Sequence, residues 1–177
     1  MERVLLDQVI MTDYGQFDLY WAGYGFDGIF ERFFDGQVNG LVGASNPDGI
    51  YLHFGRRSGG SAVRIVLLDE PPELNSDSQW EDIVEVSFTL PEGHDIRWTS
   101  WGDEDSGDLV DVKPGSYRLR TSARGRDEGH DGEFSEEVAD HYLLEVWPAS
   151  PQPDAILCSS SKDAEYWHRR GEVAAEH

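Results

Sequence analysis

Five carboxylates crowd into the nine residues from Asp103 to Asp111. Asp103, Asp105 and Asp108 would offer hard oxygen ligands at the short spacing that calcium sites use. No glutamate closes a twelve-residue EF-hand frame, so an EF-hand is not expected here. The same carboxylates could instead form a surface for a positively charged partner, or an ordinary solvated hairpin.

Two tryptophans accompany this acidic cluster. Trp98 and Trp101 lie three residues apart, so in a strand their rings point to opposite faces and at least one can be exposed. An exposed aromatic ring rimmed by acids is typical of an interface hot spot, although it would also suit sugar stacking. We therefore predict one exposed partner-binding loop that consists of Trp98, Trp101, Asp103, Glu104, Asp105 and Asp108.

Patterns for other chemistry are weak. The six histidines include no pair at i, i+4 or at alternate positions, and Cys158 lacks the local signature of a nucleophile. No nucleophile-elbow, phosphate-loop or dinucleotide motif is present, and no one carboxylate pair stands out among 35 acids. We predict a protein that is not an enzyme, with no catalytic residues, no cofactor and no metal. The alternatives are a sugar- or calcium-binding module and an enzyme that uses paired carboxylates.

Charge is the strongest compositional signal. Fourteen Lys and Arg stand against 35 Asp and Glu, which gives a net charge of -21. Between Glu70 and Asp111 there are thirteen carboxylates and a single basic residue, Arg97; residues 127–147 hold eight carboxylates and no Lys or Arg. Such a chain repels nucleic acid and anionic membranes and attracts basic proteins. The predicted partner is a basic protein, such as a nuclease or a toxin.

The remaining composition indicates a folded protein in a reducing compartment. Six Trp, seven Tyr and eight Phe supply core material that a disordered chain would lack. The single cysteine allows no intrachain disulfide. The N-terminus has no apolar run of signal-peptide length, and no run approaches the roughly 18 apolar residues of a membrane span. We expect a soluble, cytoplasmic protein.

Alternating apolar residues predict many short strands. Clear examples are Val4–Thr12, Gln37–Ser45, Asp82–Leu90 and Ser116–Ala123, separated by turns rich in Gly and Pro. This pattern favours an all-β fold, an antiparallel β-sandwich of about 8–10 strands.

Two regions of different composition divide the chain. We assign the sandwich to residues 1–150 and a C-terminal extension to residues 151–177. The extension begins in a proline-rich stretch and then carries weak signals of a short helix from Ser160 to Gly171. This helix is expected to pack on the sandwich through Tyr166 or Trp167.

Four segments, in a fixed order, resemble the ComJ family of competence-associated nuclease inhibitors. They are YGQFDLYW, DIVEVSFTLPEGHDIRW, LVDVKPGSYRLRTSA and DHYLLEV, within residues 13–146. The resemblance implies a small, acidic, soluble protein that blocks a DNA-degrading nuclease, and it assigns no catalytic residue. The chain departs from the family in its length, its tail from Pro148 onward and its longer acidic runs. Charge and resemblance together suggest a nuclease inhibitor or immunity protein.

Overall fold

Two β-sheets and three short helices make up the described part of the structure. The computed structural model describes residues 2–22, 29–74, 79–100, 105–132 and 136–175. The prediction of a mostly β protein with a C-terminal helix is confirmed. The elements are β1 (Arg3–Asp13), β2 (Gln16–Tyr20), α1 (Phe30–Phe34), β3 (Val42–Gly43), β4 (Gly49–His53), β5 (Ser58–Leu67), β6 (Asp82–Leu90), β7 (Ile96–Ser100), β8 (Ser106–Leu109), β9 (Gly115–Arg124), α2 (Arg126–Asp131), β10 (His141–Pro148), β11 (Ala155–Cys158) and α3 (Lys162–Ala175).

The two sheets share one hydrophobic core. Sheet A has the strand order β1-β5-β10-β9-β6-β11, and sheet B has the order β3-β4-β2-β7-β8. The rings of Phe54, after β4, and Tyr142, on β10, stack with their centroids 3.8 Å apart. Trp21, after β2, stacks on Phe88 of β6 at 5.5 Å. Burial of each such ring stabilises the fold by roughly 1.5–3 kcal/mol, so the inner faces hold the sheets together.

One strand pairing departs from the antiparallel prediction. β10 runs parallel to β5, with Tyr142 beside Val63, while it pairs antiparallel with β9 on its other side. The other strand pairings of the described residues are antiparallel, so the sheets are mainly antiparallel, with this one parallel pair. β5 and β6 run in the same direction with β10 and β9 between them, so a hairpin cannot join them. We name the described residues of their connection, 68–74 and 79–81, the crossover loop.

Residues Gln37–Ser45, predicted as one strand, contribute only the two residues of β3. Side chains replace the hydrogen bonds that a longer ladder would make. Asn39 Oδ1 accepts from the N–H groups of Leu41 at 3.0 Å and Val42 at 2.8 Å, and Gln37 Nε2 donates to Val42 O at 2.8 Å. Asn and Gln side chains that bond nearby backbone compete with strand formation in this way.

Two other strands were not predicted. β8 forms inside the acidic cluster itself, and β11 forms in the proline-rich tail, where it pairs antiparallel with β6 at the edge of sheet A. Eleven strands therefore occur in the described residues, against the expected 8–10. None of the three helices found there is long and apolar enough to cross a membrane.

The C-terminal segment is hydrogen-bonded to the segment before β3. The Asp154 carboxylate accepts from the backbone N–H groups of Val38 at 3.0 Å and Asn39 at 2.8 Å, and from Asn39 Nδ2 at 2.7 Å. His168 of α3 accepts from Gly40 N at 3.0 Å through Nδ1. Three backbone donors of one loop are thus satisfied by the tail.

Helix α3 packs its aromatic residue on β4. The ring of Trp167 stacks on His53 with centroids 3.8 Å apart and an interplanar angle of 11°. A Cβ on Gly40 would lie 1.9 Å from Trp167 O, so only glycine allows this approach. Burial, followed by the charges of Arg126 and Arg170, holds the pKa of His53 well below its usual value. His53 therefore stays neutral beneath the helix.

We predict that Asp154→Ala lowers the free energy of unfolding by about 2 kcal/mol, because three donors lose a charged acceptor. Urea denaturation at neutral pH would measure the change. The matched control is Glu165→Ala on the exposed face of α3, whose ion pair with Arg169 lies in solvent and should contribute little. Equal effects of the two substitutions would contradict an anchoring role for Asp154.

Candidate functional site

Trp98, the first residue of the predicted partner-binding loop, lies in the core. It is 5% exposed on β7, and its ring stacks on Phe17 at 6.1 Å. On its other side, a Cβ at Gly107 would lie 2.7 Å from the indole Nε1. The ring therefore stabilises sheet B and offers no free face to a partner.

Asp105 and Asp108 both belong to the β7–β8 hairpin but have different surroundings. Asp105 Oδ2 accepts from the backbone N–H of Met11 at 3.0 Å, on the outer edge of β1. Its backbone N–H donates to Ser100 Oγ at 3.0 Å. Asp108 is exposed and pairs with Arg97 at 3.2 Å. Asp105 thus links the edge of sheet A to sheet B, while Asp108 projects into solvent.

The other three loop residues, Trp101, Asp103 and Glu104, lie outside the described residues. Their role in partner binding stays a prediction. Among the residues that are described, no group of three or more His, Cys, Asp or Glu side chains could hold a metal ion.

Two arginines of the basic strand β9 share one carboxylate within the protein. Arg118 Nε and Arg120 Nε donate to the two carboxylate oxygens of Glu85, at 3.1 and 2.8 Å, and all three side chains are nearly buried. Arg118 also donates to Gln152 O of the tail at 3.1 Å, and Arg120 to Pro72 O of the crossover loop at 3.1 Å. These guanidinium groups hold two irregular segments on sheet A and form no basic surface.

Other arginines are engaged in the same way. Arg64 pairs with both Glu2 and Asp7, at 2.7 and 2.8 Å. Arg126, 1% exposed, pairs with Asp163 at 2.9 Å. In the described residues, ion pairs with carboxylates involve Arg3, Arg64, Arg97, Arg118, Arg120, Arg126 and Arg169. Arg118, Arg120 and Arg126 are buried in their pairs, whereas the other four arginines lie partly in solvent.

A groove of about 410 Å³ lies on the outer face of sheet A. Strands β5 and β10 form its floor, where Leu143 and Glu145 face the opening. Trp80 of the crossover loop forms one wall, and Glu2 and Asp7 form the other. The groove therefore combines an aromatic ring, an aliphatic floor and several carboxylates.

Burial changes the ionisation of the two titratable groups on the groove floor. It raises the pKa of Glu145, against the opposing effect of Arg120. It also lowers the pKa of His141, with a further contribution from Arg124. The guanidinium group of Arg124 lies over the Trp80 ring at 5.6 Å and donates to Gln79 Oε1 at 2.9 Å.

A second group of buried polar side chains has a structural role. Tyr142 Oη donates to Asp140 Oδ2 at 2.7 Å and accepts from Gly55 N at 2.7 Å, while Ser61 Oγ donates to Asp140 Oδ1 at 2.9 Å. Burial raises the pKa of Asp140, and the bonds from Tyr142 and Ser61 oppose that shift. The network joins β5, β10 and the segment after β4.

Comparison with solved structures identifies the fold. ComJ from Bacillus subtilis, described as an inhibitor of the DNA-degrading activity of NucA, matches with a TM-score of 0.55 and 21% identity, over 84% of this chain and 99% of that chain. The protein described as crocagin biosynthetic gene J matches with a TM-score of 0.54 and 15% identity, over 85% and 99%. This chain has a ComJ-like fold. No family model matches it, and no curated protein is significantly similar in sequence.

These matches confirm, at the level of fold, the resemblance found in the four sequence segments. Both neighbours are covered almost completely, so the ComJ-like fold lies within this longer chain. At identities of 21% and 15%, the matches show a shared fold and nothing about function.

Sequence reasoning missed the groove. His141, Leu143 and Glu145 occupy alternate positions of one strand, so their common face could have been recognised from the period of two. Trp80 reaches them through the crossover loop, and nothing in the local sequence around it indicates that path.

We predict that Asp105→Ala lowers the free energy of unfolding by about 1 kcal/mol, because the edge of β1 loses its acceptor. Asp108→Ala is the matched control, since its ion pair is exposed and should contribute little. Urea denaturation of both variants would measure the difference. If neither substitution changed the free energy of unfolding, Asp105 would not stabilise the contact between β1 and the β7–β8 hairpin, and both acids would be available to a partner.

Proposed function

We propose that this protein is an acidic β-sandwich inhibitor of a basic nuclease. The observation that carries the proposal is the ComJ-like fold, which extends over 99% of the matched inhibitor. The net charge of -21 supports it, because a protein that repels nucleic acid is suited to bind the proteins that attract it. The protein performs no chemistry of its own in this proposal.

The physical basis is competition for a phosphate-binding cleft. Nucleases bind the DNA backbone through Lys and Arg side chains, and this electrostatic term dominates their affinity. Fixed carboxylates on a folded protein can occupy the same cations. Docking then excludes DNA without any covalent step.

The internal use of arginine makes such a surface stronger. Glu85 holds Arg118 and Arg120 beneath the crossover loop and the tail, where both guanidinium groups are nearly buried and are not presented to a partner. An approaching basic protein therefore meets mainly carboxylates, which accelerates its association.

The acidic loop that includes residues 101–108 is one candidate contact. Asp108 is exposed on β8, opposite Arg97 of β7, and Asp103 and Glu104 precede it in the sequence. We propose that these acids steer the partner, while Trp98 and Asp105 support the loop from the core and from the edge of β1.

The experiment begins with the immobilised protein and a lysate of the organism that encodes it, at low salt. We expect the salt eluate to contain DNA-degrading activity, and we expect the free protein to inhibit that activity when it is added back. An eluate without nuclease activity, from a lysate that possesses such activity, would overturn the proposal. So would an eluted nuclease that the added protein fails to inhibit.

Salt dependence supplies a further prediction. The association rate with the eluted nuclease should fall about tenfold or more when ionic strength rises from about 50 to about 500 mM, because screening removes long-range steering. Stopped-flow fluorescence would measure the rate. A salt-independent rate would contradict electrostatic steering and would favour a contact driven by apolar surface.

A further inference from the structure

Glu145 differs from all other buried or half-buried carboxylates in the described residues. Each of the others accepts at least one hydrogen bond or forms an ion pair inside the protein. Within the part of the chain that the structure describes, Glu145 has neither. It nevertheless lies half-buried on the floor of the groove on sheet A.

The cations near Glu145 are already engaged. Arg64 is held by Glu2 and Asp7 at 2.7 and 2.8 Å. Arg124 lies over Trp80, and Arg120 is bound to Glu85 at 2.8 Å. None of the three forms an ion pair with Glu145.

This arrangement leaves one carboxylate without an ion pair. Glu145 loses part of its hydration, and Arg120 on the neighbouring strand, already bound to Glu85, offsets that loss only in part. A cation placed in the groove would supply the missing interaction. The groove lining favours that sign, because Glu2, Asp7 and Glu145 stand against only two guanidinium groups, those of Arg64 and Arg124.

We propose that this groove receives one lysine or arginine side chain of the basic partner, with Glu145 as its ion-pair acceptor. Trp80 and Leu143 would cover the aliphatic stem of that side chain, as apolar surfaces do for long cationic residues. The inference rests on the proposed function and adds to it the place of a specific contact.

The first test uses the nuclease recovered by the pull-down. Glu145→Gln keeps the shape of the side chain and removes its charge, and we expect the dissociation constant to rise about tenfold or more. Glu92→Gln makes the same change of charge at an exposed position outside the groove, and it should alter binding less than about twofold. Unchanged inhibition by Glu145→Gln would overturn the groove contact and leave the inhibitor function standing.

The second test needs no nuclease. A hexalysine peptide is titrated into the ¹⁵N-labelled protein, and the indole signal of Trp80 is assigned with a Trp80→Phe variant. We expect that signal to shift, and the shift to need about tenfold more peptide in Glu145→Gln but not in Glu92→Gln. Signals that move equally in all three proteins would show diffuse charge attraction and would contradict a defined site.

Thermal stability separates a binding role from a structural one. Because the carboxylate is half-buried and unpaired, Glu145→Gln should melt at the same temperature as the wild type or a higher one. A clearly lower melting temperature would assign Glu145 to the fold and overturn the inference. If no basic nuclease is recovered at all, the proposed function fails, whereas the peptide titration still decides whether the groove binds a cationic side chain.

Discussion

The bifurcated ion pair between Glu85 and the two arginines of β9 organises the outer face of sheet A. The Glu85 carboxylate bonds both Arg118 and Arg120, and these guanidinium groups also donate to carbonyl oxygens of the crossover loop and of the tail. Through these bonds, Pro72 in the connection from β5 to β6 and Gln152 in the tail are held against sheet A. Removal of the carboxylate would leave two nearly buried cations uncompensated, which is far costlier than the loss of a surface pair.

The same arrangement determines the electrostatic character of the molecule. Fourteen basic residues cannot balance 35 acids, and many of the fourteen are used for internal pairing. Within the basic stretch from Lys113 to Arg126, three arginines, Arg118, Arg120 and Arg126, are buried in ion pairs and are not presented as a basic patch. A molecule built in this way is suited to meet cations supplied by another protein.

Local patterns predicted the regular part of the fold well. The alternation in Asp82–Leu90 coincides with β6, and a C-terminal helix occurs where capping signals placed it. Features that depend on contacts between distant parts of the chain could not be predicted from local sequence patterns. The parallel pairing of β10 with β5 follows from the path of the crossover loop, and the loss of strand around Asn39 follows from side-chain hydrogen bonds that depend on local geometry.

In the candidate site, too, local patterns predicted less than the contacts between distant residues determine. Strand periodicity did not say which face of β7 is the core, and Trp98 proved to be buried. The sequence shows where the acidic residues are clustered, but not which of them form hydrogen bonds or ion pairs inside the protein. Asp105 and Asp108 are three residues apart, yet one accepts a backbone hydrogen bond and the other projects into solvent. The role of Asp105 depends on its contact with β1, which lies about ninety residues away in the sequence.

Exposed and half-buried acids would contribute differently to a complex. The charge of an exposed acid such as Asp108 acts over the Debye length of about 8–10 Å and is screened by salt, so it mainly affects the rate of encounter. A charge on a groove floor, as at Glu145, is screened less and gains most when water is excluded, so it mainly affects the lifetime of the complex. A partner that used both would associate quickly and dissociate slowly. The unpaired state of Glu145 then has a physical reason, because a carboxylate already satisfied inside the protein could not bind a cation from outside it.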